Sequence, residues 1–208
     1  MTSAADQFDP PLTPDLLLAA YEQGAFPMAD SRGSRRVGWY VPRRRGIIPI
    51  DQFNCPRSVR KRIRDRAFDV RIDTAFEQTI RCCAGPRRAA DDTWINERIV
   101  QAYIELHRRG IAHSVEAWLG DRMVGGLYGL AIGGAFFGES MFHDAAAGGT
   151  DASKVCLVHL VEHLRKRGFA LLDAQMPNDH LVQFGLIVLD HAAFIERLEN
   201  ALPLDVHW

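Results

Sequence analysis

The stretch AHSVEAWLGDRMVGGLYGLAIGGAFFGESMF, residues 112–142, decides the fold class of this chain. It holds three runs typical of β-strands, separated by the pairs Gly120-Asp121 and Gly133-Gly134. Glycine-containing pairs of this kind favour the tight turns that connect neighbouring antiparallel strands. The stretch therefore predicts an antiparallel meander of three strands.

Patterns on both sides of the meander complete a mixed fold. Before it, residues 93–110 repeat apolar side chains at helical spacing. After it, Asp151 opens a predicted helix, and FALLDAQ at 169–175 is typical of a buried strand that returns to the sheet. A short helix near 179–184, a strand at 187–190 and a final amphipathic helix follow. Together these elements predict an α+β fold.

The first third of the chain differs in charge and in pattern. Thr13-Pro14-Asp15 predicts the start of a helix, and prolines break residues 37–50 into short edge strands around a turn. Residues 31–66 hold twelve basic and two acidic residues, a balance that favours binding to a phosphate backbone. We therefore predict a small basic N-terminal α/β domain over residues 1–66 and a larger domain over residues 67–208.

Composition excludes several classes of protein. The chain has 208 residues, of which 47% are hydrophobic and 25% charged, as in ordinary globular proteins. Its four cysteines contain no C-x-x-C pair, and the N-terminus lacks the basic start and apolar stretch of a signal peptide. No apolar run reaches 18 residues. We expect a cytoplasmic monomer without a membrane span.

Two patterns bear on chemistry before any resemblance is considered. His159-Leu-Val-Glu162-His163 matches the H-x-x-E-H pattern of some zinc enzymes, but the basic run at 165–167 opposes a bound dication, so we favour a polar helix face. Asp173 and Gln175 lie two residues apart on a predicted strand and share a face. They either satisfy neighbouring backbone groups or act on a substrate.

A set of short motifs occurs in a specific order along the chain. They are AYEQGAFPMAD at 20–30, WYVPRRRGIIPI at 39–50, AHSVEAW at 112–118, VGGLYGL at 124–130, FFGESMF at 136–142, DASK at 151–154 and LLDAQ at 171–175. In this order the chain resembles the leucyl/phenylalanyl-tRNA-protein transferases over about residues 13–185. The resemblance implies a C-terminal domain like that of the GNAT acetyltransferases.

The resemblance also implies a reaction and its partners. Such enzymes move Leu or Phe, less readily Met, from aminoacyl-tRNA to the N-terminal Arg or Lys of a protein, which marks that protein for degradation. No metal or cofactor takes part.

Site residues follow from the same motifs. Asp173 and Gln175 are implied at the reaction centre. The residues implied to hold the terminal adenosine and the aminoacyl group are Trp39, Trp94, Leu127, Phe136, Glu139, Ser140, Met141 and Asn178. The residues expected to contact the tRNA are Arg57, Arg60, Lys61, Arg62 and Arg64, on a short basic helix. The loop between Phe142 and Asp151 is several residues long and rich in Gly and Ala, which departs from the family pattern.

Two other functions remain as alternatives. An acyl-CoA-dependent N-acyltransferase would use the same fold, but the chain lacks the R-x-x-G-x-G/A loop that binds pyrophosphate before the helix that Asp151 opens. A non-catalytic RNA-binding protein would explain the basic segment but not the shared face of Asp173 and Gln175.

Overall fold

A computed structural model describes residues 11–85 and 93–208. The helices of this part of the chain are α1 (Pro14–Glu22), α2 (Arg57–Arg64), α3 (Phe76–Cys83), α4 (Glu97–Arg108), α5 (Ala152–Arg167), α6 (Asp179–Val182) and α7 (His191–Ala201). The strands are β1 (Phe26–Ala29), β2 (Val37–Tyr40), β3 (Arg44–Ile47), β4 (Asp69–Ile72), β5 (Ala112–Leu119), β6 (Arg122–Ile132), β7 (Ala135–His143), β8 (Leu171–Asp173) and β9 (Ile187–Asp190).

Seven of these strands form one mixed sheet in the order β4-β5-β6-β7-β8-β3-β9. Strands β5, β6 and β7 form the predicted antiparallel meander. Helix α5 then carries the chain back so that β8 pairs with β7 in parallel. The α+β class and the order of meander, helix and returning strand are therefore confirmed.

Local sequence explains where several helices begin. Thr13 caps α1 by accepting the Leu16 N–H at 3.2 Å, and Pro14 occupies the first helical position. Helix α4 starts later than Thr93, because the Asn96 side chain accepts the Ile99 N–H and serves as the cap.

Helix α3 begins at Phe76, three residues after Asp73, an acidic residue of the type that often caps helices. Asp73 adopts a left-handed backbone (φ 56°) and accepts the Ser114 N–H instead. The buried carboxylate of Glu116 binds the Thr74 hydroxyl and the Ala75 N–H at the start of α3. Strand β5 therefore supplies the cap that the helix's own sequence lacks.

The sheet separates two apolar clusters. One contains Leu17 of α1, Ile99 of α4 and Phe194 of α7. The other, on the opposite face, contains Val59 of α2 and Leu160 of α5. Within the described ranges, no helix has both the length and the hydropathy needed to cross a bilayer.

Strand β3 occupies an interior position in the larger sheet, not the edge position predicted from its prolines. It pairs with β8 on one side and with β9 on the other. The domain boundary at residue 66 stays a prediction. Residues 44–47, which precede that boundary, belong to the same sheet as β4–β9. This insertion places the arginines of β3 beside the end of β8.

Candidate active site

A cavity of about 1110 Å³ opens where β7 and β8 end beside the start of α5. Gly125 on β6 allows α5 to approach, since a Cβ there would lie 2.5 Å from the Ala152 Cβ. The apolar part of the wall includes Met123, Leu157 and Leu172. Among the described residues of its wall there is no lysine or arginine, whereas three carboxylates are present.

Asp173 is fully buried at the end of β8 and forms a two-pronged ion pair with Arg45 of β3. The Arg45 Nε donates to Asp173 Oδ1 at 2.8 Å, and Nη2 donates to Oδ2 at 2.6 Å. Arg45 is 1% exposed, and its guanidinium also donates to the Gly24 carbonyl. Its Cζ lies 4.9 Å from the ring centroid of Phe26 and 4.4 Å from that of Phe194. The negative charge of Asp173 is therefore neutralised inside the protein.

Gln175 lies two residues beyond Asp173 in a left-handed conformation (φ 58°), which is unusual for a residue other than glycine. Its N–H donates to Asp173 Oδ1 at 2.9 Å, and its carbonyl accepts the Gly46 N–H at 2.8 Å. The side-chain Nε2 donates to Glu139 Oε1 at 2.7 Å. These contacts hold the amide at the cavity wall and leave its Oε1 without a partner among the described residues.

Glu139 is presented by an irregularity in β7. The register with β6 shifts between Tyr128 and Gly129, which pair with Ser140 and Gly138, so Glu139 is an extra residue in the ladder. Its Oε2 accepts the Tyr103 hydroxyl at 3.3 Å, and Tyr103 in turn hydrogen-bonds the hydroxyl of Tyr21. A buried hydrogen-bonded chain thus runs from Tyr21 on α1 to Gln175.

The pKa of Glu139 is shifted strongly by this environment. Its pKa is raised from 4.5 to about 8, chiefly by burial. Hydrogen bonds from Tyr21 and Tyr103 and the Arg45 charge oppose this rise, whereas the charge of Asp173 adds to it. Burial also raises the pKa values of Tyr21 and Tyr103 well above their usual range. Near neutral pH, most Glu139 side chains therefore carry a proton.

The structure brings most of the predicted site residues to the cavity. Those on its wall are Trp94, Leu127, Glu139, Ser140, Met141, Asp173, Gln175 and Asn178. Trp39 lies on β2, 40% exposed and opposite Pro27, and it is outside the cavity wall. Phe136 is fully buried in the apolar cluster that contains Leu160 of α5 and is outside the cavity wall; its ring centroid lies 5.3 Å from that of Trp208.

The predicted basic residues share one exposed surface on α2. Val59 anchors this helix in the core with no exposed area. Outward from it project Arg57, Arg60, Lys61, Arg62 and Arg64. Arg60 donates to the Cys55 carbonyl, and Arg64 pairs with Asp65 across 3.3 Å at the surface.

The H-x-x-E-H pattern lies on α5. The His163 ring is 4.4 Å from the ring of Trp208, centroid to centroid, and burial lowers the pKa values of both His159 and His163. The described ranges contain no group of three potential metal-ligating side chains.

Sequence reasoning missed the residues that hold the reaction centre in place, namely Arg45, Tyr21 and Tyr103. Arg45 is one of three consecutive arginines, and only the pairing of Ile47 with Asp173 distinguishes it from its exposed neighbours. Alternation along β3 then places Arg45 on the face of Asp173. Tyr103 has the helical spacing of a core residue, so the sequence pattern does not show that its hydroxyl belongs to the site.

Comparison with known proteins finds relatives of this chain. A family model described as Leucyl/phenylalanyl-tRNA protein transferase matches residues 47–199, and the model of that family's N-terminal domain matches residues 11–43. A ribosomal-protein-alanine N-acetyltransferase from Brucella melitensis is similar in structure, at 14% identity, over 56% of this chain and 84% of that chain, with a TM-score of 0.39.

Curated relatives carry the same description. The leucyl/phenylalanyl-tRNA–protein transferase of Paramagnetospirillum magneticum is 52% identical over 92% of this chain and 90% of its own length. That of Caulobacter vibrioides is 48% identical over 93% of this chain and 88% of its own length. The chain belongs to the leucyl/phenylalanyl-tRNA protein transferase family.

Proposed function

We propose that this protein transfers leucine or phenylalanine, less readily methionine, from aminoacyl-tRNA to the N-terminal Arg or Lys of other proteins and so marks them for degradation. The observation that carries the proposal is the placement of the Gln175 amide at the cavity wall, fixed between Asp173 and Glu139. The proposal includes a cytoplasmic, monomeric enzyme.

The apolar wall suits the amino acid that is transferred. Leu127, Met141 and Leu157 lie along one part of the cavity, and all three are unbranched at Cβ. Methionine and leucine side chains adapt to aliphatic or aromatic guests of different shape. Trp94 lies on the same wall, and its carbonyl accepts the Ala29 N–H at 3.0 Å. We assign Trp94 to stacking on the terminal adenine.

The reaction is aminolysis of an ester. The acceptor's α-amine attacks the carbonyl carbon, a C–N bond forms, and the C–O bond to the tRNA ribose breaks. The amine loses a proton and the ribose oxygen gains one, so no external acid, base or cofactor is consumed. Catalysis then depends largely on alignment of the two substrates, which contributes up to about 7–11 kcal/mol.

The hydrogen-bonded groups have separate roles in this alignment. The free Oε1 of Gln175 accepts an N–H of the attacking amine and directs its lone pair to the ester. Glu139, with its pKa raised to about 8, matches an α-amine with a pKa of about 8, so the fraction of Glu139 that is ionised near neutral pH is suited to receive the amine's proton. Asp173, already paired with Arg45, positions Gln175 through its backbone N–H.

A transfer assay tests the proposed function directly. Purified protein incubated with labelled Leu-tRNA or Phe-tRNA is expected to modify a peptide that begins with Arg or Lys, and not a matched peptide that begins with Glu. Acetyl-CoA replaces the charged tRNA in a parallel reaction. Acetylation of the peptides without aminoacyl transfer would instead support the N-acyltransferase alternative.

The basic face of α2 leads to a prediction about salt dependence. Arg57 and Lys61 are one helical turn apart, so they project from the same side of α2. If both contact phosphates, the slope of log affinity for tRNA against log salt should fall by about 0.7–0.9 for each residue replaced with Ala. The reduction should not depend on the amino acid that the tRNA carries.

Filter-binding titrations at several salt concentrations measure this slope. Arg197, exposed on α7, provides a matched control, and Arg197→Ala should leave the slope unchanged. An unchanged slope in Arg57→Ala/Lys61→Ala would assign the basic face to solvation and remove it from the proposed tRNA site.

A further inference from the structure

The Gln175 amide has two ends of nearly the same shape, and its hydrogen-bond partners decide which end faces the cavity. In the structure, its Nε2 donates to Glu139 Oε1 at 2.7 Å, and its own Oε1 is left for the amine of the acceptor. The reverse orientation would present an NH₂ group, which cannot accept an N–H. Alignment of the amine therefore requires that Glu139 Oε1 remains an acceptor.

Glu139 alone does not guarantee this arrangement. A protonated carboxyl group carries one O–H, which can sit on either oxygen. On Oε1, this proton would face the NH₂ group of Gln175, and the amide would turn over to accept it. The pKa of Glu139 is raised to about 8, so the protonated form predominates near neutral pH. Another group must therefore keep the proton on Oε2.

Two tyrosine hydroxyls lie at Oε2. That of Tyr103, on α4, is 3.3 Å from Glu139 Oε2 and is hydrogen-bonded to the hydroxyl of Tyr21, on α1. Tyr21 also hydrogen-bonds Glu139. Both tyrosines have no exposed area, and Glu139 is 8% exposed. The other charged groups that act on Glu139 are Asp173 and Arg45, which pair with each other and oppose one another in their effect on its pKa.

The hydroxyl groups suit both protonation states of the carboxyl. A hydroxyl both donates and accepts, so Tyr103 donates to Oε2 when Glu139 is ionised and accepts from Oε2 when Glu139 is neutral. Burial holds the pKa values of Tyr21 and Tyr103 well above their usual range, so neither phenol loses its own proton. In the neutral state, Tyr103 can pass its O–H to Tyr21, and Tyr21 can return its O–H to the carboxyl.

We propose that Tyr103, supported by Tyr21, is a positioning residue that keeps the proton of Glu139 on Oε2 and so keeps the Gln175 oxygen directed at the attacking amine. This inference rests on the proposed function and assigns a role to two residues outside the cavity wall. Tyr103 acts through Glu139 and does not need to touch either substrate.

Tyr103→Phe tests this role through the pH dependence of single-turnover transfer. The variant keeps the ring, which packs edge-on against Tyr128, and removes the hydroxyl. We expect the rate to fall about 10-fold at pH 7, the effect of one lost hydrogen bond to a buried group. At pH 9.5 Glu139 has no proton to place and both its oxygens accept, so the loss should shrink to less than about twofold.

The midpoint of the pH–rate profile gives a second readout. Because hydrogen bonds from the tyrosines lower the pKa of Glu139, their removal should raise it further. The rise of the rate with pH should therefore shift upward by about 0.5–1 in pH in Tyr103→Phe. Titration of the acceptor's amine is the same for every variant, so it cancels in the ratio of variant to wild type.

Two other Tyr→Phe variants complete the series. Tyr21→Phe, whose ring still packs on Phe137 at 4.9 Å, should show a smaller loss of about threefold at pH 7 with the same recovery at high pH. It also decides the question if circular dichroism shows that Tyr103→Phe is unfolded. Tyr40→Phe is the matched control, because Tyr40 is 41% exposed and outside the cavity wall, and it should match wild type at every pH.

The results separate this inference from the proposed function. If wild-type protein transfers no amino acid at any pH, the proposed function is wrong and the inference fails with it. If wild-type protein is active and Tyr103→Phe loses the same factor at pH 7 and pH 9.5, Tyr103 supports only the structure of the site. A wild-type rate and profile in Tyr103→Phe would likewise overturn the inference and leave the proposed function standing.

Discussion

Replacing Asp173 with Asn should lower the single-turnover rate of aminoacyl transfer by about 10²–10³-fold. Asp173 Oδ1 accepts from both Arg45 and the Gln175 N–H, and Oδ2 accepts a second bond from Arg45. An asparagine amide turns one of these acceptors into a donor, so either Arg45 or Gln175 must move. A displacement of about 1 Å at an aligning group typically costs about 10²-fold in rate.

The apolar wall and the basic face of α2 do not depend on this contact, so the Kd for aminoacyl-tRNA should change much less than the rate. Single-turnover transfer and tRNA binding are therefore measured on the same preparations. A near wild-type rate in Asp173→Asn would limit Asp173 to a structural role. A large loss of tRNA affinity would make it a binding residue instead.

Gln175→Ala separates loss of alignment from loss of the buried ion pair. This variant keeps the Arg45–Asp173 contact and the backbone N–H of residue 175, and it removes only the amide that faces Glu139. The rate should fall into the same range as for Asp173→Asn, while the free energy of unfolding changes little. Asp121→Asn, at an exposed turn, serves as the control and should retain full activity.

The parts of the fold that sequence predicted are those specified by local patterns. The meander follows from strand-like runs with glycine turns, and α1 follows from Thr13 and Pro14 at its start. Each of these signals lies within a few residues of the structure that it specifies. The motif LLDAQ is also a local signal, and the two residues it singled out, Asp173 and Gln175, lie on the cavity wall.

The parts that sequence could not predict depend on pairings between distant segments. The insertion of β3 between β8 and β9 brings together residues more than one hundred positions apart, and the register of Ile47 against Asp173 selects Arg45 from three consecutive arginines. A change of register by one residue would point Arg45 to the other face of the sheet. No local pattern contains that information.

The roles assigned to the carboxyl groups of the site change once these pairings are known. From sequence, Asp173 was implied at the reaction centre, with no charged partner for its carboxylate. In the structure, that charge is bound by Arg45, and the carboxyl group with a pKa near that of an amine is Glu139. The extra residue in β7, which turns Glu139 toward Tyr103 and Gln175, is likewise set by the pairing of β6 with β7.

The pairing of Arg45 with Asp173 leads to the largest expected effect on stability. Arg45→Met should lower the free energy of unfolding by about 3–5 kcal/mol, because it leaves a fully buried carboxylate without its cation. The variant also loses the hydrogen bond to Gly24, which ties the end of α1 to the reaction centre. Urea denaturation followed by circular dichroism measures the change.

Two comparisons isolate the buried charge as the cause. Arg45→Met/Asp173→Asn removes both charges, so it should be more stable than the sum of the single variants predicts. Arg109 makes an Arg–Asp contact with Asp15 at 2.8 Å, but its side chain is 41% exposed and that of Asp15 is 83% exposed. Water solvates both partners there, so Arg109→Met should cost no more than about 1 kcal/mol. Equal losses at Arg45 and Arg109, or strict additivity in the double variant, would mean that the ion pair does not determine the stability of the site.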